Sequence, residues 1–124
     1  MIFMSEGQTL QCEASAATSL CVTVYARTTN TIRLDQRLPM TPQRVGFFAL
    51  TGAATVDTVV AALGAGIFYE VININIANSN SAARTVRVWH VDEGDTAGTD
   101  NFIAYDATVP ANGSLTIGEM GISA

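Results

Sequence analysis

The sequence predicts an all-β chain folded as an antiparallel β-sandwich, of jelly-roll or immunoglobulin-like type, and three observations predict it. Apolar and polar residues alternate with period two in segment after segment. The segments recur roughly every ten residues, with polar turn chemistry between them, as in sandwiches and barrels. The length, 124 residues, suits one domain and is short for two.

Taken in order, residues 8–14 form the first strand candidate. Residues 19–27 follow, with Leu20, Val22 and Val24 set against Cys21, Thr23 and Tyr25. The two read as a hairpin. A buried face fixes register by matching apolar side chains, which favours Leu10 opposite Val22 and Cys12 opposite Leu20. The thiols of Cys12 and Cys21 then point to opposite sides, and the two are expected to stay unpaired, as a reducing compartment also implies.

Residues 31–35 are a further strand candidate. Residues 35–45 contain Pro39 and Pro42 and cannot be a central strand. They read as a connector or arm, which divides the chain into a hairpin (1–28), an arm (29–45) and a sandwich core (46–124). Residues 46–50 and 55–62 continue the series. Val56, Val59, Val60 and Leu63 also fit a helical stripe, but β-branched Thr55, Val56, Thr58, Val59 and Val60 favour a strand. Gly64-Ala65-Gly66 reads as a tight turn rather than a phosphate loop.

Residues 67–77 place Phe68, Ile72, Ile74 and Ile76 on one face, interrupted by Glu70, with Asn73 and Asn75 on the other. Residues 85–91 set Val86, Val88 and His90 against Thr85, Arg87, Trp89 and Val91. These two strands are expected to pair antiparallel around a turn at 78–83, burying Ile72, Ile74, Ile76, Val86 and Val88. Residues 101–109 and 114–117, joined by Pro110-Ala111-Asn112-Gly113, complete the set.

Composition narrows the function. Charged residues are 14%, about half the usual ~25%. The net charge is −5, with six Lys+Arg against eleven Asp+Glu, which leaves no basic stripe for nucleic acid. The first residues lack a basic, then apolar, leader pattern. The longest apolar run, residues 59–69, is about half the ~20 residues of a membrane helix. A soluble chain made in a cytoplasm is expected, and the Asn112-Gly113-Ser114 sequon carries little meaning there.

No CxxC, HExxH or Walker pattern is present, and the one His offers no nucleophilic triad. His90 reads as a hydrogen-bonded strand histidine, and no enzyme activity or cofactor is expected. The acidic loop with Asp92, Glu93, Asp95 and Asp100 is the best metal candidate, since Ca²⁺ takes six to eight oxygens. Its spacing departs from an EF-hand, and a solvated connection explains it without a ligand.

Residues 64–118 carry a resemblance. The run Ile67-Phe68-Tyr69-Glu70-Val71-Ile72-Asn73, the Ala83-Arg84-Thr85-Val86 turn, Val88-Trp89, the loop with Ala97-Gly98, and Val109-Pro110-Ala111-Asn112-Gly113-Ser114-Leu115 come in that order. Together they resemble small β-sandwich virion proteins of tailed bacteriophages. The resemblance implies an architectural role, on the capsid surface, a tail fibre or an adaptor, without catalysis. A capsid decoration (cement) protein, oligomeric and preferably trimeric, docked on the major capsid protein at the virion's outer surface, is the leading expectation. Tail-fibre or head–tail adaptor modules are the alternatives, and a host-surface binding module is a further one. No nucleic-acid or membrane partner is expected. Asn73 and Asn75, opposite the isoleucines, are interface candidates, as are Pro39, Pro42 and Arg44 of the arm. Residues 7–24 resemble the closing hairpin of those phage domains but come first here. The resemblance therefore implies a permuted hairpin folded onto its own sandwich, or one exchanged with a neighbour.

Overall fold

The computed structural model describes residues 2–15, 19–30, 42–52, 55–118 and 121–123. Their strands are β1 (Ile2–Met4), β2 (Thr9–Ala14), β3 (Leu20–Asn30), β4 (Gln43–Ala49), β5 (Asp57–Val60), β6 (Ile67–Asn78), β7 (Arg84–Val91), β8 (Phe102–Val109), β9 (Ser114–Gly118) and β10 (Gly121–Ser123). They form two antiparallel sheets packed as a sandwich. The larger runs β10-β9-β6-β3-β4 with β1 beside β6, and the smaller runs β5-β2-β7-β8. Among consecutive strands only β3–β4, β7–β8 and β9–β10 pair with each other. Every other connection crosses from one sheet to the other.

The alternation read from the sequence becomes the core. Leu10, Cys12, Val86 and Val88 face inward from the smaller sheet, and Leu20, Val22, Val24, Ile74 and Ile76 from the larger, all buried. Burial pushes the Cys12 thiol far above its ordinary value, and Asp57 adds to the effect. Both cysteines are free. Asp57 itself is buried and accepts hydrogen bonds from the Thr51 amide and hydroxyl, each at 2.8 Å, which pins the β4–β5 connection.

Two expected pairings are absent. β2 and β3 do not form a hairpin: β2 lies between β5 and β7, and β3 between β4 and β6. Leu10 pairs with His90 and Cys12 with Val88, while Val22 pairs with Ile76. β6 and β7 do not pair either, since they belong to opposite sheets. The reason is common to both. Alternation states which face of a strand is buried, and two apolar faces match as well across a core as side by side in one sheet. Both β2 and β3 complete this chain's own sandwich.

The β6–β7 arch is held by Asn78, buried at its apex. Its Nδ2 donates to the carbonyls of Ala82 (3.0 Å) and Pro110 (3.2 Å), and its Oδ1 accepts from Asn80 N (2.9 Å). The β8–β9 turn is tied to the same arch through Asn112 N and Asn80 O at 2.9 Å, with Asn112 in a left-handed conformation.

A bulge corrects the reading of β6. Tyr25 pairs with Asn73 and Ala26 with Val71, which leaves Ile72 as the extra residue. A bulge reverses the parity of everything beyond it. Val71 and Ile74 therefore both face the core, Ile72 is only half-buried, and Phe68 is exposed rather than buried. Glu70, which interrupted an apolar face in the sequence, points outward and meets Arg27 at 3.4 Å.

The arm is shorter than expected, because β3 continues to Asn30 and β4 begins at Gln43. Strands from residues 1–28 and 46–124 share both sheets. The strand candidate at 31–35 and Pro39 lie outside the described residues. β1 and β10 are strands that the alternation was too short to reveal.

Candidate functional site

The inner faces are spent on the core, so the outer faces of the two sheets hold the residues available for function. On the smaller sheet, Arg87, Trp89 and Val91 of β7 point outward. Trp89 and Val91 are nonetheless buried, Trp89 at 6% exposure, and neither belongs to the central core. The acidic loop covers Trp89. Trp89 Nε1 donates to Gly98 O (3.1 Å), and Asn101 Oδ1 accepts from Gly98 N while Asn101 Nδ2 donates to Thr96 O, both at 2.9 Å. His90 N donates to Asn101 O (3.0 Å), which closes the loop on its own strand.

The four metal candidates lie in this loop, at Asp92, Glu93, Asp95 and Asp100, all exposed. Asp92 accepts from Gln8 Nε2 at 2.7 Å, and Asp95 Oδ1 accepts from Thr96 N at 2.8 Å. Among the described residues, no three side chains of metal-ligating type gather to hold an ion. The loop's observed contacts therefore close it as a cover rather than converge on a centre.

His90 faces inward beside Leu10, half-buried, with Nε2 2.8 Å from Gln8 Oε1. Gln8 Oε1 also accepts from Ser5 N (2.9 Å), so a chain of hydrogen bonds runs from His90 through Gln8 to Asp92. Burial pushes the imidazole below its ordinary 6.5, with Asp92 pulling the other way. Neutral His90 with the proton on Nε2 satisfies this arrangement as donor to Gln8.

At the free edge of the smaller sheet, β8 bulges so that Tyr105 and Asp106 together oppose Arg87. Asp106 has φ 52°, an uncommon conformation for a non-glycine residue. The Arg87 guanidinium lies 4.2 Å over the Tyr105 ring and bonds Asp106 Oδ1 at 2.7 Å, with Glu13 at 3.6 Å. The hydrogen bond from Arg87 lowers the Asp106 pKa and raises that of Arg87. Phe102 and Tyr105, both exposed, sit 5.1 Å apart.

Among the described residues, no loop covers the outer face of the larger sheet in this way. Phe3 is 65% and Phe47 61% exposed, and Phe68 and Tyr25 are exposed as well. Cross-strand register places them on one face. Phe3 lies beside Glu70 and Arg27, Tyr25 beside Asn73 and Arg44, Phe47 beside Thr23 and Asn75, and Cys21 beside Ala49 and Ala77. The interface candidates Asn73, Asn75 and Arg44 are thus on this face, and Pro42 is exposed just before β4. Asn75 Nδ2 donates to Thr116 Oγ1 (3.3 Å), Asn73 Oδ1 is buried without a partner, and the Arg44 guanidinium lies 5.2 Å from the Phe47 ring.

Sequence reasoning missed this aromatic face. One signal was available: Phe47 and Phe48 are adjacent in a strand, so one of them must point away from the core. Among the described residues no helix is long and apolar enough to cross a membrane. In comparisons with known proteins, the chain matches no family model, no curated protein and no solved structure.

Proposed function

We propose that this chain is a structural protein of a tailed-bacteriophage virion, most simply a capsid decoration protein that stabilises the outer head surface as an oligomer. The observation that carries the reading is the bare outer face of the larger sheet, with Phe3, Tyr25, Phe47 and Phe68 around a polar centre of Asn73, Asn75 and Thr23. Aromatic residues with Arg are enriched at surfaces that partners cover. The virion assignment draws on the resemblance of residues 64–118, whose pieces fall in order on β6, β7, the loop, β8 and β9. On this reading the protein is made in the host cytoplasm, needs no cofactor, performs no catalysis and binds the major capsid protein.

Electron microscopy of particles with and without the protein tests it. Loss of density over the capsid supports the decoration role, loss at the tail supports the fibre or adaptor alternative, and unchanged particles overturn both. A host-surface binding role is the second reading, favoured by Arg87, Tyr105 and Phe102 clustered at the edge of the smaller sheet. Tyr and Arg are the anchors that dominate binding energy at interfaces. Loss of cell binding in a Tyr105→Ala variant would support it.

A further inference from the structure

We propose that the outer face of the larger sheet seats a second copy of this chain, the two packed sheet against sheet about a two-fold axis. The inference stands on the face itself and does not depend on the virion reading.

Register gives the layout. β6 and β3 form the middle of the face, with β1 and β9 end to end on the β6 side and β4 on the β3 side. Phe3 sits on the β1 flank at the level of Glu70 and Arg27. Phe47 sits on the β4 flank at the level of Thr23 and Asn75, near the opposite end. The two most exposed phenylalanines therefore occupy diagonal corners. A two-fold axis lying in the contact plane, perpendicular to the line that joins those corners, exchanges them, so each copy's Phe3 meets the partner copy's Phe47. An isologous contact requires such self-complementarity, residue i on j and j on i.

Size and charge permit the contact. Strand spacing of about 4.8 Å and a rise of about 3.3 Å per residue make the face, from Phe68 to Ala77 and across the sheet, on the order of 700 Å². Standard stable interfaces cover about 800 Å² per partner. The chain carries −5 overall, a charge that opposes self-association in general. Among the described residues, Glu70 is the one carboxylate on this face, and it is paired with Arg27. The remaining described acids lie on the smaller sheet or its connections, away from the contact.

A broad face used once per chain closes at two copies, in place of the trimer expected from the sequence. Sedimentation equilibrium of the full chain up to about 100 µM, a range that reads weak affinities, tests this. A dimer is expected. Phe47→Asp and Phe3→Lys should each raise its dissociation constant at least tenfold without altering the circular-dichroism spectrum, since both side chains are exposed. The double variant should recover most of the loss, because the axis sets the new Lys against the new Asp. Tyr105→Ser, on the other sheet, should leave the dimer unchanged. A monomer, a trimer, a dimer indifferent to the single changes, one weakened by Tyr105→Ser, or a double variant no better than the singles overturns the proposal.

Discussion

Trp89 on the outer face of the smaller sheet and Phe3 and Phe47 on that of the larger are handled in opposite ways, while Phe102 and Tyr105 at the edge of the smaller sheet are exposed. On the smaller sheet, Trp89 points away from the core and is still buried, because the loop between β7 and β8 folds back over it. On the larger sheet, Phe3 and Phe47 point away from the core and stay largely in solvent. Outward placement is the same in both cases; the described residues supply a cover for Trp89 and none for Phe3 and Phe47. An aromatic under the chain's own loop contributes to folding, whereas a bare one is available to contribute to association.

The sharpest test of that contrast is Trp89→Ala. It removes a buried indole and the anchor of Gly98, and should cost about 3–5 kcal/mol, as for other buried aromatic truncations. Urea denaturation measures it, and proteolysis within residues 92–101 should accelerate in parallel. A loss below about 1 kcal/mol would mean that the loop is a loose connection and that the two faces do not differ.

Gly46→Ala probes the sandwich between the faces. A Cβ there would lie 2.9 Å from both Val59 O and Val60 Cγ2, across the gap from β4 to β5. A backbone oxygen cannot move aside cheaply, and overpacking of this kind costs about 1–3 kcal/mol. A lowered denaturant midpoint at unchanged slope is the expected readout.

A smaller effect concerns the base of the covered face. His90 has its pKa lowered in the folded protein by burial, so the unfolded chain binds a proton first as pH falls through the ordinary 6.5. Stability is therefore level above that pH, declines below it, and stops declining from this source once the folded imidazole titrates. His90 is the one histidine in the chain, so His90→Gln should flatten melting temperature against pH in the range just below the ordinary 6.5. An unchanged slope in that variant would remove the assignment. Asp106 acts in a separate, more acidic window. Its pKa is held down by Arg87, and whatever stability it adds is lost as pH falls through that lowered value.

The smallest effect is expected from Phe47→Ser, which at high dilution should shift stability by no more than about 0.5 kcal/mol, as surface changes do. A loss comparable to that of Trp89→Ala would show that the bare face is covered within a single chain, and would erase the contrast.

Much of this fold was legible in the sequence, because burial follows from alternation. Leu10, Val22, Val24, Ile74, Ile76, Val86 and Val88 were identifiable as core residues without knowing any neighbour. Their partners were not. Leu10 and Val22 are both buried in the core, but from opposite sheets and not as partners along a hairpin. Ile72 and Glu70 were misplaced for a local reason: one bulge reverses parity, and nothing in Val71-Ile72-Asn73 announces it. The burial of Trp89 was unreadable for a different reason, since it depends on where a loop of Asp, Glu, Gly and Thr comes to rest. The acidic residues of that loop attracted a metal reading, whereas Asn101, which holds the loop shut, attracted none.

The repeated crossing between sheets bears on how the chain is made. β2 finds its neighbours only in β5 and β7, with Leu10 against Val60 and His90. Ribosomes add about 5–20 residues per second, so β2 emerges several seconds before β7 exists. In that interval β2 lacks one of its two neighbours in the sheet. Folds dominated by such distant pairings mature in milliseconds to seconds once complete. Synthesis, rather than the search for the fold, is then the slow step, and the nascent N-terminal strands are where a holding chaperone would find this protein.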